Sequence, residues 1–543
     1  MLELFLASSI VIFISFQIGR LIACLFKIDS LDYTQICLLG IISLNSTLGI
    51  ISFIYPVGNK LLIAISLISV LISILVKNKI SLRIEFTFES LFFLTFISLL
   101  GLLKASNYIE NYDSGLYHIQ IIKWSESYSI VPGLANLHGR FGFNSNVFLL
   151  DSLFLFTGFN DGVPLYPINI SLFVIISFYF ISKIFDLIKS SASAGLILFC
   201  LAMLIVIFRL DNFSSPSPDF FVNILIIYLL SRMVIDYSVA INFPDFLSSV
   251  LICFYLITIK LSSVPILFII LILYLKNLNF FTWKQYVILF GVILFILVPW
   301  LTRNVIISGW LVYPFAGVDI FDFDWKVPKD LVISESNSIV GWARRPGSDY
   351  LQSLNVRLID WSSVWWQNQA LSIKFILGSC FVFSIINVVL MISKREKLNN
   401  IDYSFICTLL GVLFWFFTAP DFRFGYPFII FNFWFLLLKV NFRLNINYCK
   451  YVVIFLMFVF PLYSARREII QFYSTRAINF IKPLGFKNDS SKEFETHKIE
   501  DGYILVPRNN DQCFDCKLPC TPYYDNNLSF RINNNLQSGF RRE

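Results

Sequence analysis

Apolar runs close to the roughly 20 residues that a helix needs to cross a bilayer recur along the whole chain. They predict spanning helices near 3–26, 34–56, 60–76, 88–105, 163–186, 191–209, 220–237, 246–258, 264–276, 285–301, 372–393, 401–418, 427–439 and 449–464. Two kinds of polar segment separate them. Short ones are basic: KNKISLRIEF at 77–86, with Lys77, Lys79 and Arg83, then Lys183 and Lys189, Lys276 and Lys284, KREK at 394–397, and Lys439 with Arg443. The others, 106–146, 210–219, 302–371, 419–426 and 465–543, mix aromatic, acidic and basic residues. Basic short loops stay on the cytoplasmic side, so the first set is expected inside and the second, with both termini, outside. The run 147–158 is short and holds Asp151, so it reads as a helix that does not cross.

The expected fold class is therefore an all-α polytopic membrane protein with about 14 transmembrane helices. A transmembrane domain would cover 1–464, with outer loops carrying interfacial helices. A small outer-face tail domain would cover 465–543.

Composition agrees. Of 543 residues, 57% are hydrophobic and 14% charged, which excludes an ordinary soluble globule. The net charge of +7 is spread over short loops, a topology signal and not a nucleic-acid footprint. The first apolar run lacks a small-residue cleavage site, so it reads as a span. The absence of a phosphate-cradling glycine loop argues against a nucleotide-driven pump.

Candidate chemistry concentrates in the outer segments. The loop 106–146 holds two of the three histidines, His118 and His138, together with Glu110, Asp113, Lys123, Glu126 and Arg140. Asp113, Tyr117, Gln120 and Trp124 are spaced to line one helical face, predicting an amphipathic helix lying on the bilayer. Asp113 and Asp219, the latter closing SSPSPD, are each either a helix cap or a functional carboxylate. Together they would supply base and orienting roles or hold a divalent cation, Mg or Mn. Lys260 sits between two short apolar helices, pointing to a polar cavity or to snorkelling. Arg303, Asn304 and Trp310 follow a span, Arg344 lies in WARRPG and Arg423 in APDFRFGY. Arginines gathered on one face, with aromatics, suit a phosphate-bearing, lipid-linked substrate. In CFDCKLPC the three cysteines are one ligand short of a zinc site, so a disulfide is expected, Cys513 with Cys520.

The segments YDSGLYHIQIIKW, IVPGLANLHGRFGFNS, SSPSPD, TIKLS, PWLTRN…SGWLVYPF, WARRPG, APDFRFGY and DQCFDCKLPCTPY resemble a family of little-characterised multi-pass bacterial membrane proteins associated with surface-polysaccharide genes. A more distant resemblance is to the C-type membrane glycosyltransferases, which take sugars from polyprenyl-phosphate donors. It implies an essential acidic residue in the first large outer loop, the place of Asp113, and a second at a later helix start, the place of Asp219.

The expected function is transfer of a sugar from a polyprenyl-phosphate donor to a glycan or lipid-linked acceptor, at the outer face of the bacterial cytoplasmic (inner) membrane. Asp113 and Asp219 would be catalytic. His118, His138, Arg140, Lys260, Arg303, Asn304, Trp310, Arg344 and Arg423 would bind substrate. The alternatives are a polymerase joining lipid-linked repeat units and a lipid-linked glycan flippase. The charges cluster outside the spans, which disfavours the flippase.

Overall fold

A computed structural model describes residues 1–28, 31–76, 87–157, 164–237, 241–276, 281–347, 349–393, 398–438, 446–475, 493–499, 502–532 and 535–542. The basic segments 77–86 and 394–397, and Lys439 and Arg443, on which the expected sidedness rests, lie outside the described residues.

The apolar runs are helices at the expected places. In chain order they are α1 (Leu2–Leu25), α2 (Tyr33–Ile51), α3 (Asn59–Leu75), α4 (Phe88–Ala105), α5 (Ile119–Ser127), α6 (Leu134–Leu137), α7 (Val147–Leu153), α8 (Ile168–Lys189), α9 (Ala194–Phe208), α10 (Pro218–Ile235), α11 (Phe243–Ile259), α12 (Leu267–Lys276), α13 (Trp283–Ser308), α14 (Lys329–Arg344), α15 (Leu358–Asn368), α16 (Leu371–Ser393), α17 (Asn400–Thr418), α18 (Phe422–Trp434), α19 (Ile446–Ser464) and α20 (Arg466–Thr475). Among the described residues, eight helices (α1, α2, α4, α8, α10, α13, α16 and α17) are long and apolar enough to cross a membrane. Residues 448–473 of α19 and α20 make a ninth if counted as one span bent by 57°. The protein is thus an α-helical membrane protein. The remaining expected spans are present as shorter apolar helices, of which α18 has 13 residues. The run 147–158 yields only the seven-residue α7, too short to cross.

Local sequence sets the helix ends. Asp32 and Gln35 form a reciprocal cap on α2, as Asn399 and Asp402 do on α17. Pro218 opens α10, where its missing N–H costs nothing. Gly309, at φ +78°, closes α13.

Helices α2 and α10 form the centre, with 78% of their best spanning windows buried, against 11% for α16, which faces outward. Helices α1 and α2 meet backbone to backbone at Gly19 and Gly40. A Cβ on Gly40 would lie 1.7 Å from the Ser15 carbonyl oxygen. Small residues permit this approach where lipid supplies little drive for helices to associate. One end of the bundle carries an ionic cluster around the buried Arg232, which donates to Asp236 at 3.1 Å and to Asp245 at 2.9 Å, while the half-buried Lys183 pairs with Asp236 at 2.7 Å. Helix α10 carries Arg232 near one end and Asp219 at the other. Its 18 residues span about 27 Å, close to a bilayer's apolar core.

The tail carries two small antiparallel sheets, β1 (Phe494–Ile499) with β2 (Gly502–Pro507), and β3 (Leu528–Phe530) with β4 (Phe540–Arg542). Its described residues pack against the helical part of the chain. Leu528, Phe530 and Phe540 join the main apolar core, and Phe540 meets Trp124 edge to face at 5.9 Å.

Candidate functional site

The loop 106–146 enters the site through one wide turn, Ser114–His118, that runs into α5. Asn111, not Asp113, supplies the local cap, its Oδ1 accepting from the Ser114 N–H at 3.2 Å. The Asp113 carboxylate is thereby left to make long-range contacts. Its Oδ1 accepts from Arg140 at 3.0 Å and its Oδ2 from Arg423 at 2.9 Å. Asp219 likewise makes no side-chain cap on α10. It pairs with Lys260, and Arg423 lies 4.0 Å from its other oxygen.

Arg423 is the hub. Asp421 caps α18 by accepting from the Arg423 N–H at 3.1 Å, and also accepts from its Nε at 3.0 Å. Lys260 stands over the Phe424 ring at 3.8 Å and Arg423 over the same ring at 4.9 Å. Arg140 packs over Tyr117 and extends to Glu335 at 3.6 Å. The side chains of Arg140 and Arg423 are 34% and 42% exposed, while those of Asp113 and Asp219 are 16% and 14%. The guanidinium groups therefore face an opening and the carboxylates lie beneath them.

Burial pushes the Asp113 carboxyl up, while Arg423, then His118 and Arg140, pull it down and leave it below its ordinary value. Behind it, burial pushes the His118 imidazole down to about 4, against the pull of Asp113 and Asp219. His118 is thus neutral at pH 7. Its Nδ1 lies 3.1 Å from the Ser114 hydroxyl, which meets the Ser215 hydroxyl at 2.5 Å. This chain ties the first loop to the segment before α10.

Five of the residues expected to act together are joined here: Asp113, Arg140, Asp219, Lys260 and Arg423, with His118 behind them. The other expected residues are elsewhere. His138 is half-buried beside Phe141, at 5.2 Å, and Tyr523. Arg303 donates to Asn144 and Ser52, and Asn304 is buried on the same helix. Trp310 donates to the Val327 carbonyl oxygen at 2.9 Å. Arg344 packs over Trp361 at 4.5 Å. Glu335 and Ser215 also belong to the site and were missed, while Asp421, Tyr117 and Ser114 join it from segments that the sequence had singled out. Asp421 is two residues from Arg423 in APDFRFGY and was legible as its partner.

The expected amphipathic helix is not open on one face. Gln120 and Trp124, assigned to its polar side, are buried. The tail covers them: Gln120 donates to the carbonyl oxygens of Phe514 and Cys516 at 3.0 and 3.1 Å. The Phe514 N–H donates to the Gly115 carbonyl oxygen at 2.8 Å. Gly115 has no room for a side chain, since a Cβ there would lie 2.7 Å from Gln512 and 2.8 Å from Phe514. Cys513 and Cys520 form the expected disulfide, with Cα atoms 6.0 Å apart, and it brackets the segment that docks on the loop.

The expected divalent cation would have to displace side-chain cations from both Asp113 and Asp219. Both carboxylates already hold side-chain cations, and an incoming ion would face Arg140, Arg423 and Lys260 together.

The fold and site define a polytopic helical membrane protein with a charged, half-open site where several helix ends and loops converge. Residues 1–430 match a family described as a domain of unknown function, DUF8201, and the protein belongs to it. All the residues of the charged site fall within that stretch. No curated protein and no solved structure matches the chain.

Proposed function

We propose that the protein is a membrane glycosyltransferase that moves a sugar from a polyprenyl-phosphate donor to a glycan or lipid-linked acceptor, at the outer face of the bacterial cytoplasmic membrane. The observation that carries this reading is the convergence of Arg140, Lys260 and Arg423 on Asp113 and Asp219. The sidedness rests on the basic short loops, and the count of about fourteen crossings on including the shorter apolar helices.

In the resting state the carboxylates neutralise the arginines. A donor phosphate offers Arg140 and Arg423 a second anion with matching fork geometry. As the arginines turn to it, Asp113 loses the charges that hold its carboxyl down and becomes the stronger base. It then takes the proton of the acceptor hydroxyl. The hydroxyl oxygen forms its bond to the anomeric carbon as the carbon–oxygen bond to phosphate breaks. The electron pair leaves on the phosphate, where the arginines stabilise it. Lys260 stays paired with Asp219 beside them. Attack opposite the leaving group inverts the anomeric centre.

The test is the profile of lipid-linked and surface glycans, by mass spectrometry, in cells carrying Asp113→Asn against wild type. A glycan missing one defined sugar is expected, with the variant present at normal level. Single repeat units accumulating on lipid would instead assign a polymerase. An unchanged profile with stable protein would sink the role of Asp113.

A further inference from the structure

Arg303 is 5% exposed, and among the described residues no carboxylate pairs with it. Its Nε donates to Asn144 Oδ1 at 3.0 Å, and its Nη1 donates to the Ser52 hydroxyl. Its Nη2 donates to no described group. Asn144 is itself pinned, donating to the Trp300 carbonyl oxygen at 3.0 Å and accepting from the Trp300 indole N–H at 2.8 Å. The guanidinium is therefore held in one orientation while its charge stays uncompensated.

It lines a cavity that also contains the side chains of Trp124 and Ser145, and no acidic residue lines that cavity. Trp124 is 2% exposed and Ser145 8%. The Trp124 indole nitrogen and the Ser145 hydroxyl oxygen are buried without a hydrogen-bond partner. An indole N–H can only donate, and a hydroxyl can donate. Three groups thus ask for an acceptor, and one of them carries a full positive charge. Buried polar groups are ordinarily paired, and buried charges more strictly so. Room for the centre of a water-sized group amounts to about 20 Å³, which suits one small polar group and not a sugar ring. Ser52 caps the end of α2, and Arg303 lies near the end of α13. The cavity is therefore at the depth where spanning helices leave the apolar core.

We propose that this cavity is a second anion site, separate from the Asp113 cluster, and that it takes a phosphate group with Arg303, Trp124 and Ser145 as donors. The phosphate comes either from an anionic lipid headgroup seated at the bundle edge or from solution. The site does not depend on the proposed sugar transfer.

The test uses the full chain purified in dodecyl maltoside, with its thermal unfolding midpoint as the readout. One arm adds inorganic phosphate at constant ionic strength made up with sodium gluconate. The other adds dihexanoyl phosphatidylglycerol, against an uncharged monoacylglycerol of equal chain length. Wild type is expected to gain about 2 °C or more from at least one phosphate probe. Phosphate acting alone assigns a soluble ligand. Phosphatidylglycerol acting alone assigns a headgroup. Arg303→Met should lose the gain. Its ligand-free midpoint should not fall, because an uncompensated charge has been removed. If Arg303→Met does not fold, Trp124→Phe, which deletes only the N–H donor and some ring area, should weaken binding about 3- to 10-fold. Arg423→Gln separates the two sites. A gain undiminished in Arg303→Met, or an affinity unchanged in Trp124→Phe where Arg303→Met does not fold, overturns the proposal, and loss of that gain in Arg423→Gln assigns it to the Asp113 cluster. No gain in wild type from either probe overturns it as well.

Discussion

Asp113 and Arg423 are 310 residues apart in sequence, and Arg423 Nη1 lies 2.9 Å from Asp113 Oδ2. The same guanidinium donates to Asp421 at 3.0 Å and lies 4.0 Å from Asp219. One planar fork thus donates to two carboxylates from two different nitrogens and lies beside a third, a fixed geometry that a flexible lysine ammonium does not reproduce.

Arg423→Lys keeps the charge and loses the fork. On the proposed mechanism, sugar transfer by the purified protein should fall about 10- to 100-fold in this variant, and by about 100-fold or more in Arg423→Ala. Full activity in Arg423→Lys would remove the fork from the mechanism and leave only a charge.

Acid should weaken the fold through His118. Its imidazole is pushed down to about 4 by burial, so the unfolded chain, with an ordinary histidine near 6.5, binds the proton more readily. The group's contribution is present above about pH 6.5 and is lost as pH falls towards 4, on the order of 3 kcal/mol in all. His118→Gln, which keeps a hydrogen-bonding side chain beside Ser114, should flatten the unfolding midpoint across this window. An equally steep fall in the variant would place the acid-sensitive group elsewhere.

The Cys513–Cys520 bridge spans a sequence separation of 7, a closure that stabilises by about 2.5 kcal/mol in the chain-entropy account. Between its ends lie Phe514, Asp515 and Cys516, which hold Gly115, Lys123 and Gln120 of the first loop. Reduction, or Cys513→Ser, should speed both hydrogen exchange over 112–120 and tryptic cleavage at Lys517. Unchanged cleavage after complete reduction would mean that the docking contacts suffice without the bridge.

Two glycines should respond oppositely to alanine. Gly40→Ala forces a Cβ into the Ser15 carbonyl and should cost on the order of 2–3 kcal/mol, read as a lower unfolding midpoint in detergent. A Cβ on Gly291 in α13 would meet nothing within 4 Å, and Gly291→Ala should be neutral or slightly stabilising. Equal midpoints for the two variants would show that α1 and α2 can separate at little cost.

The helices were legible because spanning is a local property. About 20 contiguous apolar residues suffice to announce a crossing, whatever packs beside them. The disulfide was legible for a similar reason, since three cysteines within eight positions of a polar segment leave few pairings. Asp113, its loop and the arginines that could meet it could also be nominated from the chain. Which arginine meets which carboxylate could not. Arg303 and Arg423 look alike in sequence, each a lone arginine at the edge of an apolar run. The order in which α10, α13 and α18 pack brings Arg423 to Asp113 and sends Arg303 to Asn144 and Ser52. The open face expected for α5 was lost in the same way. Its polar residues are spaced as for solvent, but a tail nearly 400 positions away supplies their partners. Apolar patterning acts residue by residue along the chain. Charge pairing depends on contact within a few ångströms, and packing alone sets those distances.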